Sequence, residues 1–320
     1  MNRLRFFQIF VFILLIVSID QVIGRVTRHL YFSQKAGQNY SLNYVFTECR
    51  SQILIFGNSR AQHHYDTHLL SDSLKMSCYN AGQDGGHSIF LPYAQIQVIL
   101  RRYAPEIIIL EFDPNSVKFH SEDYDKLSVL LPYYSVYQYL HPLIEMRSPF
   151  EKEKLLSASY PFNSNIVNII RYNTKSHAAR KKDMNGYIPM DNRTLNMTYL
   201  RNYPVQTLGN SVDPNKLKAL KDIIQLCKDH HVLLLIVNSP KFYFSGETPN
   251  SVSSPEKQAM DIIHQEKTIF LDFSNDAAFA KRMDLFADRI HLNLKGAMLF
   301  TQEVAAMVKS VKKTISKKEM

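Results

Sequence analysis

Two short segments of the chain carry side chains that could perform covalent chemistry together. Ser59 stands in the turn Gly57-Asn58-Ser59-Arg60, directly after the apolar run Ile53–Phe56. A serine just past a buried strand is a candidate nucleophile if a base lies beside it. Far along the chain, Asp288 precedes His291 by three residues, a spacing at which the carboxylate can orient the imidazole. Together the segments predict a Ser-His-Asp hydrolase or acyltransferase.

Both segments also have simpler structural explanations. Asn58 or Ser59 could do no more than cap a following helix, because both side chains accept hydrogen bonds from the first backbone N–H groups. Asp288 could be a surface carboxylate near a helix start. The remaining histidines, including the pairs His63-His64 and His230-His231, lack the spacing of metal ligands, and we interpret them as incidental. We expect neither a metal nor another cofactor.

The elements that must position these residues alternate along the chain. Short apolar segments predict strands at 52–56, 77–80, 106–112, 232–237 and 268–272. Helical patterns are found at 66–75, 87–103, 215–230, 255–265 and 294–311, with weaker pieces at 127–140 and 152–171. This alternation predicts a mostly parallel sheet with helices on both faces. Ligands bind outside the carboxyl ends of such strands, and Ser59, Gly82 and Asp113 each follow a predicted strand.

The N-terminus predicts export of the domain. Arg3 and Arg5 precede an apolar stretch at 6–19, and no small-x-small cleavage site follows it. We therefore expect an uncleaved anchor over about 6–23, with Asp20 near the outer interface; a cleaved signal and a buried helix of a cytosolic protein are the alternatives. The N-terminal arginines favour a cytoplasmic N-terminus, which places the remaining chain in the periplasm or an equivalent space.

Composition sets the remaining limits. The 320 residues are 45% hydrophobic and carry a net charge of +9, part of it in a lysine-rich tail. This size suits one large α/β domain with an insertion, or two domains of ordinary size. The basic tail lacks any accompanying zinc or RNA-binding pattern, so we expect no nucleic acid partner. Cys49, Cys78 and Cys227 form no CxxC motif, and we expect none of them to be catalytic.

Taken together, the motifs resemble those of the SGNH (GDSL-type) hydrolase superfamily. Gly57-Asn58-Ser59-Arg60 is similar to its first block, and Tyr79-Asn80-Ala81-Gly82 to its second, whose glycine amide is an oxyanion donor. Asp288-Arg289-Ile290-His291-Leu292 is similar to the block that supplies acid and base. The third block departs from the family's G-x-N-D, since the chain reads Leu110-Glu111-Phe112-Asp113-Pro114-Asn115. Asn115 is then the displaced oxyanion donor, or the donor is absent.

The resemblance implies a fold, an activity and partners. The fold would be a three-layer α/β/α sandwich with a mostly parallel, flavodoxin-like sheet at 45–320, an insertion at about 117–210 and a membrane anchor or uncleaved signal at 1–25. Ser59, Asp288 and His291 would be catalytic, with Gly82 and Asn115 at the oxyanion. The N-terminal anchor, the Gly57-Asn58-Ser59-Arg60 block and the long insertion together resemble the membrane-tethered branch near DltD and the alginate O-acetylation proteins. That likeness implies an acylated envelope glycan as substrate and a membrane-bound acyltransferase as a partner.

A lipase or lysophospholipase with the same triad remains an alternative. So does a non-catalytic module that binds glycan or scaffolds an assembly through a degenerate site. The distance between Ser59 Oγ and His291 Nε2 separates that module from an enzyme, because a serine is activated only within hydrogen-bond reach of its base.

Overall fold

The computed structural model describes residues 3–174, 185–191, 193–195, 211–242 and 253–319. The chain divides into two compact units. The first comprises residues 1–44 together with 121–181, and the second comprises 45–120 together with 182–320. The predicted insertion at 117–210 falls partly on residues 175–184, 192 and 196–210, which lie outside the described residues.

The described residues form five strands and twelve α-helices. The strands are β1 (Ile53–Phe56), β2 (Cys78–Asn80), β3 (Ile107–Glu111), β4 (Leu233–Asn238) and β5 (Ile269–Asp272). The helices are α1 (Arg3–Phe32), α2 (Gly37–Thr47), α3 (Ser59–His64), α4 (Thr67–Leu74), α5 (Phe90–Leu100), α6 (Ser121–Asp125), α7 (His141–Glu145), α8 (Glu151–Lys154), α9 (Ile166–Thr174), α10 (Pro214–Asp229), α11 (Ser254–Gln265) and α12 (Leu294–Glu319). Every strand prediction is confirmed to within two residues at each end.

All five strands belong to one parallel sheet in the second unit. Their order is β2-β1-β3-β4-β5, and each neighbouring pair is parallel. This is the flavodoxin-like order, in which the connections reverse direction between β1 and β3. The carboxyl ends of β1 and β3 therefore flank the position at which such sheets bind ligands.

The strands are apolar throughout because the sheet is buried on both faces. Ile53, Ile55 and Ile109 face a core shared with Tyr65 and with Phe300 of α12. Their neighbours Leu54, Phe56 and Ile108 point to the opposite face and are equally inaccessible. On that side α5 packs against α10, which also contacts β4. The predicted α/β class with helices on both faces is confirmed.

Short polar side chains cap helix starts in the second unit. The Asp213 carboxylate accepts hydrogen bonds from the first N–H groups of α10, and Pro214 occupies the first turn. Asp66 caps α4 in the same way. These short polar side chains end the preceding loop because they satisfy donors that the helix itself leaves unpaired.

The helical pieces predicted at 127–140 and 152–171 are wrong in detail. The structure has 3₁₀ turns at Lys126–Tyr133 and Gln138–Leu140, and the second piece breaks into α8, a 3₁₀ turn at Tyr160–Asn165 and α9. Prolines cause the breaks. Pro132 lies inside the first 3₁₀ turn and Pro161 in the turn at Tyr160–Asn165, and neither can donate the backbone hydrogen bond that an α-helix needs at its position.

The N-terminal helix α1 is much longer than the predicted span. Its 30 residues include a window of mean hydropathy 2.4, so it is long and apolar enough to cross a membrane, a test that signal sequences also pass. Within the first unit, Asp20 accepts hydrogen bonds from the Ser157 and Ser159 hydroxyls and from the Ala158 N–H. Gly24 lies so close to Ala158 that a β-carbon would come within 2.4–2.5 Å of it. Asp20 therefore fixes a loop against α1.

Candidate active site

Ser59 is presented by a sharp turn at the carboxyl end of β1. Gly57 has φ +149°, and a β-carbon there would lie 2.8 Å from Glu111 Cβ and 2.9 Å from Ala61 Cβ, so only glycine fits. Asn58 then caps α3 by accepting a hydrogen bond from the Arg60 N–H at 3.0 Å. The capping explanation thus holds for Asn58, and it leaves Ser59 as the first residue of the helix.

His291 is held by a short loop that precedes α12. Asp288 Oδ1 accepts hydrogen bonds from the N–H groups of Ile290 at 2.9 Å and His291 at 2.8 Å. An antiparallel bridge between Phe286 and Leu292 closes the loop. The same carboxylate that orients the imidazole therefore also shapes the backbone on which the imidazole is carried.

These two segments meet in a continuous hydrogen-bond chain. His291 Nδ1 donates to Asp288 Oδ2 at 2.7 Å, which leaves the Nε2 lone pair to accept from the Ser59 hydroxyl at 2.8 Å. Burial raises the pKa of Asp288, but its hydrogen bond to and electrostatic interaction with His291, together with the bonds from the loop N–H groups, outweigh it and hold the pKa below the usual value. An ionised aspartate, an oriented imidazole and a hydroxyl in this order can activate the serine as a nucleophile.

A buried ion pair lies directly beside Ser59. The Arg60 guanidinium contacts Glu111 Oε1 at 2.8 Å, and only 5% and 2% of the two side chains are exposed. Arg60 also donates to Asn238 Oδ1, to the Ser239 hydroxyl and to the Ser239 carbonyl. The pair connects the carboxyl ends of β3 and β4 to the helix that begins with Ser59.

A serine and a histidine extend this pair to the loop of His291. The Ser239 hydroxyl donates to Glu111 Oε1 at 3.0 Å. It accepts from His64 Nδ1 at 2.8 Å, because His64 Nε2 already accepts from the Leu292 N–H at 3.0 Å. Burial, with the nearby Arg60 charge, holds the pKa of His64 well below its ordinary value. His64 is therefore neutral at neutral pH and fixes the backbone next to His291.

The Tyr65 hydroxyl saturates the other oxygen of Glu111, to which it donates at 2.5 Å. Asp113, just beyond β3, pairs with Lys241 at 2.6 Å. Burial raises the pKa of Asp113, yet the charges of Lys241 and Arg60 lower it overall. The two carboxylates at the end of β3 are thus each matched by a cation.

The two residues predicted as oxyanion donors have other partners. The Gly82 N–H donates to Asn80 Oδ1 at 2.9 Å. A β-carbon at Gly82 would lie 2.6 Å from Ala61 Cβ, so its glycine is explained by close packing on α3. The Asn115 amide donates to Glu256 Oε2 at 3.0 Å and its oxygen accepts from Ser253 at 2.7 Å, at the start of α11. None of the described hydrogen bonds joins Gly82 or Asn115 to Ser59.

The interpretation of His63-His64 as incidental is wrong. Both rings pack against His291, with centroids 5.5 Å and 6.2 Å from its own. Their position in the sequence indicates this proximity, because both histidines follow Ser59 within one short helix. Glu111 was likewise detectable as a charged residue closing an apolar strand. The part of the chain that the structure describes holds no cluster of three metal-ligating side chains, and its three cysteines are buried and free.

Comparison of the chain with protein-family models and with curated proteins finds no significant match.

Replacing Arg60 with Met should lower the free energy of unfolding by about 3–5 kcal/mol, because Glu111 would remain buried without its cation. Unfolding of the full-length protein in detergent, followed by circular dichroism, measures this loss. Adding Glu111→Gln to the variant should recover part of it, since the unpaired charge is then gone.

Arg282→Met is the matched control. Arg282 forms a two-pronged pair with Asp284, but both side chains are more than two-fifths exposed. Its loss should be far smaller than that of Arg60. Equal losses at the two positions would show that the buried pair does not hold this edge of the sheet together.

Proposed function

We propose that this protein is a serine esterase or O-acyltransferase of the SGNH type, which acts on ester groups of cell-envelope polysaccharide through an acyl-serine intermediate. The observation that carries the proposal is the hydrogen-bond chain from Ser59 through His291 to Asp288, at 2.8 Å and 2.7 Å. The sheet order adds support, because Ser59 follows β1 and Glu111 ends β3, the two strands at which the connections reverse.

The geometry suits acyl transfer in two steps. Ser59 Oγ attacks the ester carbonyl carbon while its proton passes to His291 Nε2, and Asp288 stabilises the imidazolium. The alcohol leaves with that proton, and the acyl group stays on Ser59. Water or a sugar hydroxyl then attacks the acyl carbon and gives its own proton to His291, which passes it to Ser59 Oγ as the bond between Oγ and the acyl carbon breaks.

The oxyanion that forms when Ser59 attacks the ester needs hydrogen-bond donors at the start of α3. Ser59 is the first residue of that helix, so its N–H has no acceptor within the helix, and none is found among the described contacts. This N–H is our first donor. Gly82 contributes only if its N–H is shared between Asn80 and the oxyanion, and Asn115 has no part in the reaction.

The substrate class follows from the N-terminal helix. A chain anchored by α1, with Arg3 and Arg5 on the cytoplasmic side, would place the second unit outside the membrane. Esters within reach of such a domain are those of the envelope, and O-acetyl groups of surface polysaccharide are our preferred substrates. A membrane-bound acyltransferase would supply the acyl group if the reaction runs toward transfer.

The distance between serine and histidine speaks against a non-catalytic module, because a degenerate site needs no hydrogen bond between the two.

A lipase or lysophospholipase differs from the proposed esterase in the length of the acyl chain that it prefers. Comparing p-nitrophenyl acetate with p-nitrophenyl palmitate on the full-length protein should give the higher kcat/KM for acetate, and a preference for palmitate would replace the glycan proposal with a lipid one.

Ser59→Ala should abolish covalent labelling by a fluorophosphonate probe, read by gel fluorescence on the full-length protein in detergent. His291→Gln keeps the hydroxyl but removes the base, and should slow labelling by about 10³-fold or more. For this comparison, each variant must have the same unfolding midpoint as the unaltered protein. Persistent labelling of Ser59→Ala would remove this serine from the mechanism.

Asn115→Ala should leave the labelling rate within about twofold, while an oxyanion donor would cost about 10²–10³-fold. Its effect should instead be a loss of stability of about 1 kcal/mol, because the side chain helps to hold the start of α11. Ser253→Ala breaks the same contact from the other side and is the matched control. A large fall in labelling for Asn115→Ala alone would restore the residue to the oxyanion site.

A further inference from the structure

A second histidine at the site offers a hydrogen-bond acceptor that the proposed reaction leaves unused. His63 follows Ser59 by four residues in α3, so the two side chains share one face of the helix. Its ring meets the ring of His291 edge to face, with centroids 5.5 Å apart. His63 therefore borders the space in which Ser59 and His291 would meet a substrate.

A hydrogen bond to the backbone of Ile188 fixes the orientation of the His63 ring. Its Nδ1 lies 2.7 Å from the Ile188 carbonyl oxygen, which can only accept, so Nδ1 carries the proton. The Ile188 N–H donates in turn to the Gln62 carbonyl at 3.1 Å. These two bonds hold the segment at 185–191 against α3 and aim the opposite nitrogen, Nε2, away from Ile188.

His63 Nε2 is left as an acceptor. Among the described contacts it has no hydrogen-bond partner. It also does not belong to the described polar atoms that are both inaccessible to solvent and unpaired. Burial lowers the pKa of His63, outweighing its bond to Ile188 and the nearby carboxylates of Asp84 and Asp288. The ring is thus neutral at neutral pH, with a lone pair on Nε2.

We propose that His63 Nε2 accepts a hydrogen bond from a second hydroxyl group of the acceptor alcohol, on the carbon atom next to the one that is acylated. This inference rests on the proposed function. Two neighbouring hydroxyl groups can each lie at about 2.8 Å from one nitrogen, the first at His291 and the second at His63. The site then selects vicinal diols, as sugars carry, over alcohols with a single hydroxyl.

His63 makes no covalent bond in this scheme. The reacting hydroxyl oxygen attacks the acyl carbon of acyl-Ser59 and gives its proton to His291 Nε2. The bond from the acyl carbon to Ser59 Oγ breaks, and the same proton passes to Oγ. The neighbouring hydroxyl keeps its proton throughout and holds the alcohol in register through His63.

Transfer from p-nitrophenyl acetate to trans-cyclohexane-1,2-diol, compared with transfer to cyclohexanol, tests this. The two acceptors differ only in the neighbouring hydroxyl. Full-length protein in detergent should prefer the diol, measured as ester formed relative to acetate released, by about fivefold for one neutral hydrogen bond.

Two variants of His63 separate binding from structure. His63→Asn places an amide nitrogen where Nδ1 stands, so it keeps the bond to Ile188 but loses the acceptor. His63→Gln places its terminal oxygen near Nε2 and restores the acceptor. The diol preference should vanish in the first variant and return in part in the second, while the unfolding midpoint of the first stays unchanged.

An unaltered preference in His63→Asn, or no preference in the unaltered protein, overturns the role of His63 while leaving the proposed function in place. Failure of the unaltered protein to form acetyl-Ser59 at all overturns both.

Discussion

The burial of Arg60 and Glu111 as a pair is the constraint on which the site depends. Removing an ion from water costs several kcal/mol even in a relaxed protein, so each charge needs its full set of partners. Glu111 obtains them from Arg60, from the Ser239 N–H and hydroxyl and from Tyr65. Satisfying one carboxylate thus ties the ends of β3 and β4 to the short helix that carries Ser59.

The same network reaches the second half of the site through neutral groups. Ser239 links Glu111 to His64, and His64 accepts from the N–H of Leu292, next to His291. Ser59 and His291 therefore stand on segments that share one hydrogen-bonded base. Preorganisation of this kind matters because a displacement of about 1 Å between base and nucleophile can cost orders of magnitude in rate.

The sequence was informative where chemistry is local. Alternating apolar runs predicted the sheet, and the helical pattern at 215–230 predicted α10. The partners of Ser59 could be proposed because the Asp288 to His291 spacing fits one loop. The bonds of Asn115 to Ser253 and Glu256, at the start of α11, could not be predicted because these partners are remote in sequence. The network around Arg60 joins three segments remote in sequence, which no local pattern reveals.

The central claim is that Ser59 carries the acyl group, and one measurement tests it most directly. Full-length protein is mixed with p-nitrophenyl acetate and quenched in acid within the first turnovers, and its peptides are then examined by mass spectrometry. Our account predicts an acetyl group on Ser59 that forms as p-nitrophenol is released and disappears as the reaction ends. Release of p-nitrophenol with Ser59 unmodified, and the acetyl group on another residue, would contradict it.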